Sequence, residues 1–437
     1  MKTVGKVLSI VLLLGLAVTL MPTTLTPTAA HAQGAVACEE DVTVQADDWL
    51  SKLADKFYGD PLAFQAIAAA TNAAATADSS YATIANVDLI EIGWKLCIPS
   101  ATDAQALLAN PDAAVTAGVE ELPDIGTLQV GYIPIFAFAP FFVANEKGYF
   151  AEQGLTVELQ SFRSGAFMMA PLTTGDLDAG GGETGPGLFN AIDQGLDIRV
   201  VSAMASQPPG FGAVPLLVRT DLIDSGTVSS VADLAGRKVA LNVERGTAEY
   251  LLAKALEGAG LTVDDVEVVS LPFPEMPAAF ANQAIDAAIL PHPLASRAIG
   301  AGDAVALLEG DEITDTPQNG VIYFGQRLLQ PENREIGVRF LIAYLKAARD
   351  LQGDGWRSDD NVAIINLVTN VPAPAIKNGV AYYFEPNGLI NRASTEDFQL
   401  YHFNRGYTEM AAPLPLDQVI IDTYLDEALA RLGRVNP

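Results

Sequence analysis

The sequence predicts a mixed α/β fold with two lobes around a central cleft, preceded by a smaller α/β unit. From residue 128 onward, short apolar runs alternate with helix-like segments, which is typical of βαβ units and a parallel sheet. The pattern occurs twice, because a second set lies between the runs VPLLV (214–218) and GVIYFG (320–325). Two chain crossings between two such units indicate a hinged fold. A length of 437 residues leaves room for these domains.

The chain begins with the pattern of an export signal. Lys2 and Lys6 form a basic start, residues 7–20 are apolar, and Ala-His-Ala at 30–32 fits a small-x-small cleavage site. We therefore expect residues 1–32 to be removed and the mature protein to be extracytoplasmic, in the periplasm or at the cell wall. An uncleaved membrane anchor is the alternative, although the apolar run is short for a membrane span.

Composition narrows the classes of partner. The chain has 53 acidic and 25 basic residues, for a net charge of −28. Such a surface argues against nucleic acid and against anionic lipid as partners. A hydrophobic content of 50% with 18% charged residues permits a large buried core.

Residues 36–100 predict the order strand, helix, helix, strand. Residues 42–44 alternate as a strand, Asp47 or Asp48 is placed to cap a first helix, and Gly-Asp-Pro at 59–61 turns into a second helix. Residues 94–98 form the closing strand. The stretches VTVQADDWLSKLADKFYGDP and IEIGWKLCIP, with Asn between them after the second helix, resemble a LysM domain.

The LysM resemblance implies a small βααβ domain that binds N-acetylglucosamine-containing glycan such as peptidoglycan. The segment departs from the LysM pattern in a longer insert at 73–82, and in Ile92 and Gly93 where Pro-Gly is usual. An alternative is a LysM-like module that only spaces or docks. Residues 101–127, rich in Ala and Asp, are predicted to be a linker with at most one short helix.

The two cysteines of the chain are Cys38 and Cys97. Export permits a disulfide between them. The alternative is a lipidated Cys38, but the large apolar residue usual three positions before such a cysteine is missing. In a LysM-like fold the two cysteines would lie on the neighbouring first and last strands, which favours the disulfide.

The large domain opens with three predicted strands that each end in small or polar residues. In an open parallel sheet, ligands sit beyond the carboxyl ends of the strands. The loops that follow these strands should therefore converge on one pocket. The strands are 128–132, 155–160 and 177–179, and the loops are 133–139, 162–166 and 181–186.

Four stretches in order resemble the substrate-binding proteins of ABC importers. They are VGYIPIFAFAPFFVANEKGYFAEQGLTVEL, LTTGDLDAGGGE, VADLAGRKVALNVERGTAEYLLAKAL and LPFPEMPAAFANQAIDAAILPHP. The most similar type is the sulfonate/nitrate/taurine and hydroxymethylpyrimidine-precursor group, which includes flavin-type binders. The resemblance implies a type II periplasmic-binding-protein fold that acts as a monomer with a permease and an ATPase. Its first lobe is expected at about 128–216 and 322–437, and its second lobe at about 220–318.

The resemblance also implies which residues contact the solute. In the first lobe they are Ile135, Phe136, Ala137, Ser164, Gly165, Gly182, Glu183 and Thr184. In the second lobe they are Arg245, Gly246, Thr247, Glu275 and His292. Many relatives carry an acidic residue where His292 stands, which puts an acidic contact at that position in doubt.

Two ligand classes remain open on side-chain chemistry. Phe136, Phe138 and Phe211 offer flat faces that suit a planar ring, with core packing as the alternative. Glu183 and His292 suit the polar groups of a neutral heterocycle of pyrimidine or flavin type, which we expect.

Arg245, and more weakly Arg163, favour an anion instead, such as a sulfonate, taurine or nitrate. A surface position is the alternative for both arginines.

Catalytic motifs are absent from the sequence. It has no phosphate-binding glycine loop ending in Lys-Ser/Thr, no His/Cys/Asp cluster with zinc spacing and no Gly-x-Ser-x-Gly elbow. We therefore expect a non-enzyme without metal or cofactor. Besides import, a ligand sensor at the cell wall remains an alternative.

Overall fold

The computed structural model describes residues 37–45, 48–84, 87, 90–109, 126–315 and 317–435. These residues form a two-stranded sheet and two five-stranded sheets, with helices packed around them. The predicted export signal and most of the predicted linker lie outside the described residues. Within the described ranges, no helix combines the length and the apolar character needed to cross a bilayer.

The N-terminal unit has the predicted order of strand, helix, helix, strand, followed by one more helix. Its elements are β1 (Cys38–Thr43), α1 (Leu50–Tyr58), α2 (Phe64–Ala77), β2 (Lys95–Pro99) and α3 (Ala101–Leu108). Strands β1 and β2 are antiparallel, and Cys38 and Cys97 form the expected disulfide with their Cα atoms 5.1 Å apart. The assignment of this unit to the LysM family stays a prediction.

Trp49 joins the N-terminal unit to the large domain. Its ring packs edge-on against the ring of Tyr149, with centroids 5.8 Å apart, and it belongs to the core of the large domain. The predicted cap of α1 needs a correction, because Asp48 accepts a hydrogen bond from the N–H of Gln45, before the helix. Asp47 lies outside the described residues.

The large domain begins with alternating strands and helices. Its first elements are β3 (Leu128–Tyr132), α4 (Ala139–Glu146), α5 (Tyr149–Glu152), β4 (Val157–Ser161), α6 (Met169–Thr174), β5 (Ala179–Gly182), α7 (Pro186–Asp193) and β6 (Arg199–Ser206). Gly148, with φ of 74°, separates α4 from α5 in the left-handed conformation that favours glycine.

The inserted unit follows the same alternation. Its elements are β7 (Leu216–Arg219), α8 (Thr220–Asp224), β8 (Lys238–Leu241), α9 (Thr247–Glu257), β9 (Glu267–Ser270), α10 (Met276–Ala281), β10 (Ala287–Ile289), α11 (Leu294–Gly300), β11 (Ala304–Leu308) and α12 (Gly310–Ile313).

The chain then returns to the first unit and ends in helices. These elements are β12 (Gln318–Phe324), α13 (Arg334–Asp350), α14 (Asp359–Thr369), α15 (Ala373–Asn378), α16 (Arg392–Asn404), α17 (Leu416–Val419) and α18 (Thr423–Leu432). Residues 416–432 do not form one continuous helix, because Ile420 leaves the helix and forms a bridge with Val200 of β6.

Sheet order defines the two lobes. The first sheet has the order β4-β3-β5-β12-β6, with β12 antiparallel to both of its neighbours. The second has the order β11-β7-β10-β8-β9, with β8, β9 and β10 parallel. The prediction that VPLLV joins the lobes needs a correction, because β7 pairs with β10 and β11 inside the second sheet.

The chain therefore crosses between the lobes twice, once after β6 and once before β12. The buried side chain of Gln207 stiffens the first crossing by accepting a hydrogen bond from the N–H of Val214. The N–H of Gln207 donates to the carbonyl of Pro317 at 3.3 Å, so the two crossings are bonded to each other. Two neighbouring chain segments that connect two lobes are typical of a hinge between those lobes.

Candidate functional site

Three adjoining cavities lie where the carboxyl ends of the parallel strands of both sheets meet. The inner cavity, of about 70 Å³, is lined mainly by Ile133, Ile135, Ala137, Phe138, Gly182, Glu183, Asn242, Val243, Thr247, Phe273, Pro291, Asn319 and Tyr382. The outer cavity, of about 380 Å³, shares Ile133, Ile135, Asn242, Val243 and Phe273 and adds chiefly Ser161, Phe162, Arg163, Ser164 and Phe167. The side cavity is lined by Gly165, Glu183, Gly185, Arg245 and their neighbours.

Both lobes contribute walls to the inner cavity. Ile135 and Phe138 come from the segment after β3, whereas Val243 and Thr247 come from the segment after β8. Loops that follow the carboxyl ends of the strands in an open sheet are expected to converge on one pocket, as these segments do. A ligand bound there would touch both lobes and favour their closed arrangement.

Three polar side chains of the inner cavity have no hydrogen-bond partner. They are the hydroxyl of Thr247, both polar atoms of the Asn319 carboxamide, and the phenol of Tyr382. Tyr382 is only 4% exposed. A buried polar group without a partner costs about 1–3 kcal/mol, so these atoms mark a place where a polar ligand would be stabilised.

Asn319 reaches the cavity because of an irregularity in β12. Gln318 pairs with Ser206 and Gly320 pairs with Ala205, so Asn319 is an extra residue in the ladder. Such a bulge redirects a side chain and is frequent next to functional sites. Val321 pairs with Gly182, which places this end of β12 beside the segment that follows β5.

Glu183 lies between the inner and side cavities and is bound by backbone groups. The N–H groups of Gly165 and Ala166, at the start of a 3-10 turn, donate hydrogen bonds to its carboxylate. Burial raises the pKa of the Glu183 carboxyl, and these hydrogen bonds oppose that shift. The start of this turn, predicted to receive a ligand, is therefore already occupied by a side chain of the protein.

The outer cavity is partly aromatic and carries one cation. Phe167 is 55% exposed, and the guanidinium of Arg163 lies 5.8 Å from its ring centre. Ser164 is buried there, and its hydroxyl has no partner. Ser164 precedes the 3-10 turn without capping it through its side chain.

Arg245 does not reach the inner cavity. It adopts a left-handed backbone conformation with φ of 62°, and its guanidinium lies over the ring of Tyr407 at 4.8 Å. Its N–H donates to the buried carboxylate of Glu249 at 2.7 Å. The side chain of Arg245 therefore lies at the surface of the cleft. Gly246, by contrast, lies close to the carboxylate of Glu183.

Several predicted contacts do not line the three cavities. Phe136 is fully buried and packs edge-on against Trp356, with centroids 5.3 Å apart. His292 is 4% exposed and binds the hydroxyl of Ser296 at 2.6 Å through Nδ1. Burial lowers the pKa of His292 to about 4, so its ring is neutral at pH 7.

Glu275 and Thr184 also lie away from the cavities: Glu275 is exposed, and Thr184 is buried before α7. Gly185, and not Thr184, directly precedes α7. Phe211 packs against Tyr383 outside the cavities. Phe138, by contrast, does line the inner cavity.

Sequence reasoning missed several residues of the inner cavity, among them Asn242, Phe273, Asn319 and Tyr382. Asn242 directly follows β8 and Phe273 lies in the loop after β9, so the rule that selected the first-lobe loops also applied to them. Asn319 depends on a bulge, and Tyr382 lies in a segment without regular structure. Neither carries a local sequence signal for a binding site.

A strap formed by α16 and residues 405–407 joins the lobes beside the side cavity. It is anchored to the first lobe by Ser394, whose hydroxyl accepts a hydrogen bond from the N–H of Gln318 at 2.9 Å. It contacts the second lobe through polar pairs. These are Asp397 with Tyr250 and Lys254, Tyr401 with Glu249, His402 with the carbonyl of Arg245, and Arg405 with Asp264.

No group of three or more His, Cys, Asp or Glu side chains with the arrangement of a metal site occurs in the described ranges. The arrangement at the cleft can enclose a small molecule and offer it neutral hydrogen-bonding groups and apolar faces.

Two of the relatives of this chain illustrate its sequence similarity to binding proteins. It is 26% identical over 246 residues to the riboflavin-binding protein RibY of Chloroflexus aurantiacus, covering 55% of this chain and 66% of that protein. It is 29% identical over 216 residues to a putative aliphatic sulfonates-binding protein of Escherichia coli K12, covering 49% of this chain and 63% of that protein. The chain thus spans just under two thirds of the length of these relatives.

A solved structure shows the same fold. The alkanesulfonate-binding protein SsuA of Xanthomonas axonopodis pv. citri superposes with a TM-score of 0.57 at 19% identity, covering 69% of this chain and 100% of that protein. This likeness confirms the predicted two-lobe α/β fold of periplasmic binding proteins. The NMT1-like family model matches residues 123–352, which is more than half of the 437 residues. The chain therefore belongs to the NMT1-like family.

Proposed function

We propose that this chain is the solute-binding component of an ABC importer and captures a small organic solute in the inner cavity. The observation that carries the proposal is the set of unpartnered polar groups on Thr247, Asn319 and Tyr382 at a cavity with walls from both lobes. A permease and an ATPase are the partners that this function requires. Export after removal of residues 1–32 would place the protein outside the cytoplasm.

A neutral heterocycle is the solute class we favour. Phe138 and Phe273 give the inner cavity apolar faces, and the unpartnered groups are uncharged. Glu183 is the acidic side chain among the described residues that line the inner cavity, and its carboxylate form would repel an anion. The relative named as a riboflavin-binding protein agrees with a ring compound.

An oxyanion is the second candidate. Arg163 lines the outer cavity, and one relative is named as a putative aliphatic sulfonates-binding protein. A sulfonate would have to sit in the outer cavity, because the inner one offers no cation among its described lining residues. The two candidates therefore differ in which cavity holds the head group.

A thermal-shift panel on the protein purified from an exporting host tests the function. Riboflavin, lumichrome, uracil and hydroxymethylpyrimidine represent rings, and taurine, MOPS and nitrate represent oxyanions. A ligand at 100 times its Kd adds about 2.7 kcal/mol of stability, which gives a clear rise in Tm. The absence of a shift with every compound would contradict the proposal.

Matched variants locate the bound molecule. Thr247→Val removes only a hydroxyl from the inner cavity, and Thr156→Val makes the same change at an exposed position. We expect the first to weaken ring binding about tenfold and the second to leave it unchanged. An oxyanion bound in the outer cavity would instead respond to Arg163→Gln.

The N-terminal unit, residues 36–100, is proposed to hold the protein near peptidoglycan. It has its own hydrophobic core, around Leu50, Ile67 and Leu96. Cosedimentation of the purified protein with insoluble peptidoglycan, competed by chitotetraose, tests this role. Protein that stays in the supernatant at all peptidoglycan concentrations would contradict it.

A further inference from the structure

The carboxamide of Asn319 offers the inner cavity one donor and one acceptor side by side. Both Nδ2 and Oδ1 lack a partner. The β-bulge between Gln318 and Gly320 leaves Asn319 outside the regular pairing with β6. A bulge at the end of a strand next to a cavity fixes the direction in which the side chain of its extra residue points.

The donor and the acceptor of a carboxamide are both satisfied best by a partner that presents an acceptor opposite the donor and a donor opposite the acceptor. A cis-amide edge, in which a ring N–H stands beside a ring carbonyl, accepts from Nδ2 and donates to Oδ1 at once. Lactams, pyrimidinones and cyclic imides all carry this edge. A sulfonate group and nitrate do not, because they only accept hydrogen bonds.

We propose that Asn319 selects the solute by pairing with a cis-amide edge of a neutral ring, an inference that rests on the solute-binding function proposed above. Thr247 and Tyr382 supply further single hydrogen bonds in the same cavity. The ring would lie against Phe138 and Phe273, and substituents would extend toward the outer cavity, which shares Phe273.

Chemical variation of the ligand tests the inference without altering the protein. Isothermal titration would compare uracil with 1,3-dimethyluracil, riboflavin with 3-methylriboflavin, and 2-pyrrolidinone with N-methylpyrrolidinone. Methylation of the ring nitrogen removes the donor and blocks the approach of Oδ1. For each pair whose unmethylated compound binds, we expect the methylated compound to bind at least about tenfold more weakly. Equal affinity within the pair that binds would overturn the inference.

An isosteric variant gives a change of preference that a structural role would not produce. Asn319→Asp replaces the donor with a second acceptor, so the edge should prefer a ring with two adjacent donors. We expect uracil-type ligands to lose about tenfold or more in affinity, and isocytosine to gain relative to uracil. The control Asn378→Asp makes the same change at an exposed helix end and should alter neither affinity.

The outcomes separate this inference from the function on which it rests. Ring binding that Asn319→Asp weakens equally for uracil and isocytosine would overturn the role of Asn319 and leave solute binding intact. Binding of taurine or MOPS, without any ring compound, would also overturn only the cis-amide edge. Failure of every compound to bind would overturn both proposals.

Discussion

The imidazole of His402 binds the carbonyl oxygen of Arg245 across the cleft, with Nε2 and the oxygen 2.8 Å apart. Its other nitrogen, Nδ1, lies 2.8 Å from the carbonyl oxygen of Phe398. A neutral imidazole carries one N–H and can donate to only one of the two carbonyls. The contact joins the strap to the segment that carries Thr247, so it connects the two lobes.

Removal of this contact should loosen the closed lobes. In His402→Leu the carbonyl of Arg245 loses its contact with Nε2, at a cost of about 1–2 kcal/mol. We expect about tenfold faster dissociation of whichever ligand the panel identifies, measured by stopped-flow fluorescence. His402→Gln, whose amide nitrogen can replace Nε2, is the matched control and should restore most of the difference. Equal rates in all three proteins would contradict a role for this bond in closure.

The burial of His292 predicts a loss of stability in acid. Its pKa is about 4 in the folded protein and about 6.5 when the chain is unfolded, so the unfolded state binds more protons between these values. The free energy of unfolding should therefore fall as the pH decreases from about 6.5 to about 4, by about 3 kcal/mol from this group.

Urea unfolding at pH 7, 5.5 and 4.5 measures this effect. Because other groups titrate in the same range, the informative quantity is the difference between the wild type and His292→Gln. The variant should show a smaller decrease in its midpoint. Parallel pH profiles for the two proteins would contradict the prediction.

Gly182 should tolerate no side chain. A Cβ there would lie 2.9 Å from the Cα of Gly165 and 2.9 Å from the hydroxyl of Tyr323. We expect Gly182→Ala to destabilise the protein by about 1–3 kcal/mol and to weaken ligand binding, because it separates β5 from the turn that binds Glu183. Gly185→Ala, whose nearest contact would be 3.5 Å, should cost much less. Thermal unfolding and titration of the two variants check both parts.

The disulfide should stabilise the N-terminal unit through the length of the loop it closes. Cys38 and Cys97 are 59 residues apart in sequence, for which the chain-entropy model gives about 4 kcal/mol. We expect the double change Cys38→Ser and Cys97→Ser to lower the unfolding transition of that unit, as calorimetry would detect. A reducing agent should have the same effect on the wild type and none on the variant.

The alternation of elements was predictable because it depends on local apolar runs and on glycine and proline at their ends. Pro140 and Pro186, for example, stand in the first turns of α4 and α7, where a helix tolerates proline. The break at Ile420 was not predictable, since a bridge to Val200 decides it, far away in sequence. Sheet membership of β7 likewise depends on pairing with β10 and β11, which no local pattern encodes.

Residues of the candidate site were predictable where the position of the backbone alone brings them to the cavity. They were not predictable where the direction of the side chain decides whether it lines the cavity. Ile135, Ala137 and Thr247 follow strands and line the inner cavity. Phe136 and His292 also follow strands, but their rings pack inward against Trp356 and Ser296. A sequence gives the residue and its loop, whereas the direction of the ring depends on neighbours from distant parts of the chain.

The position of Asn319 in the chain links recognition to the exterior of the protein. Its neighbour Gln318 donates to the carbonyl of Ala205 and accepts from the N–H of Asn391, at the start of α16. A solute held by Asn319 is therefore one peptide bond from the residue that anchors the strap. Occupancy of the cleft therefore has a very short path to α16, the helix whose polar pairs bridge the two lobes.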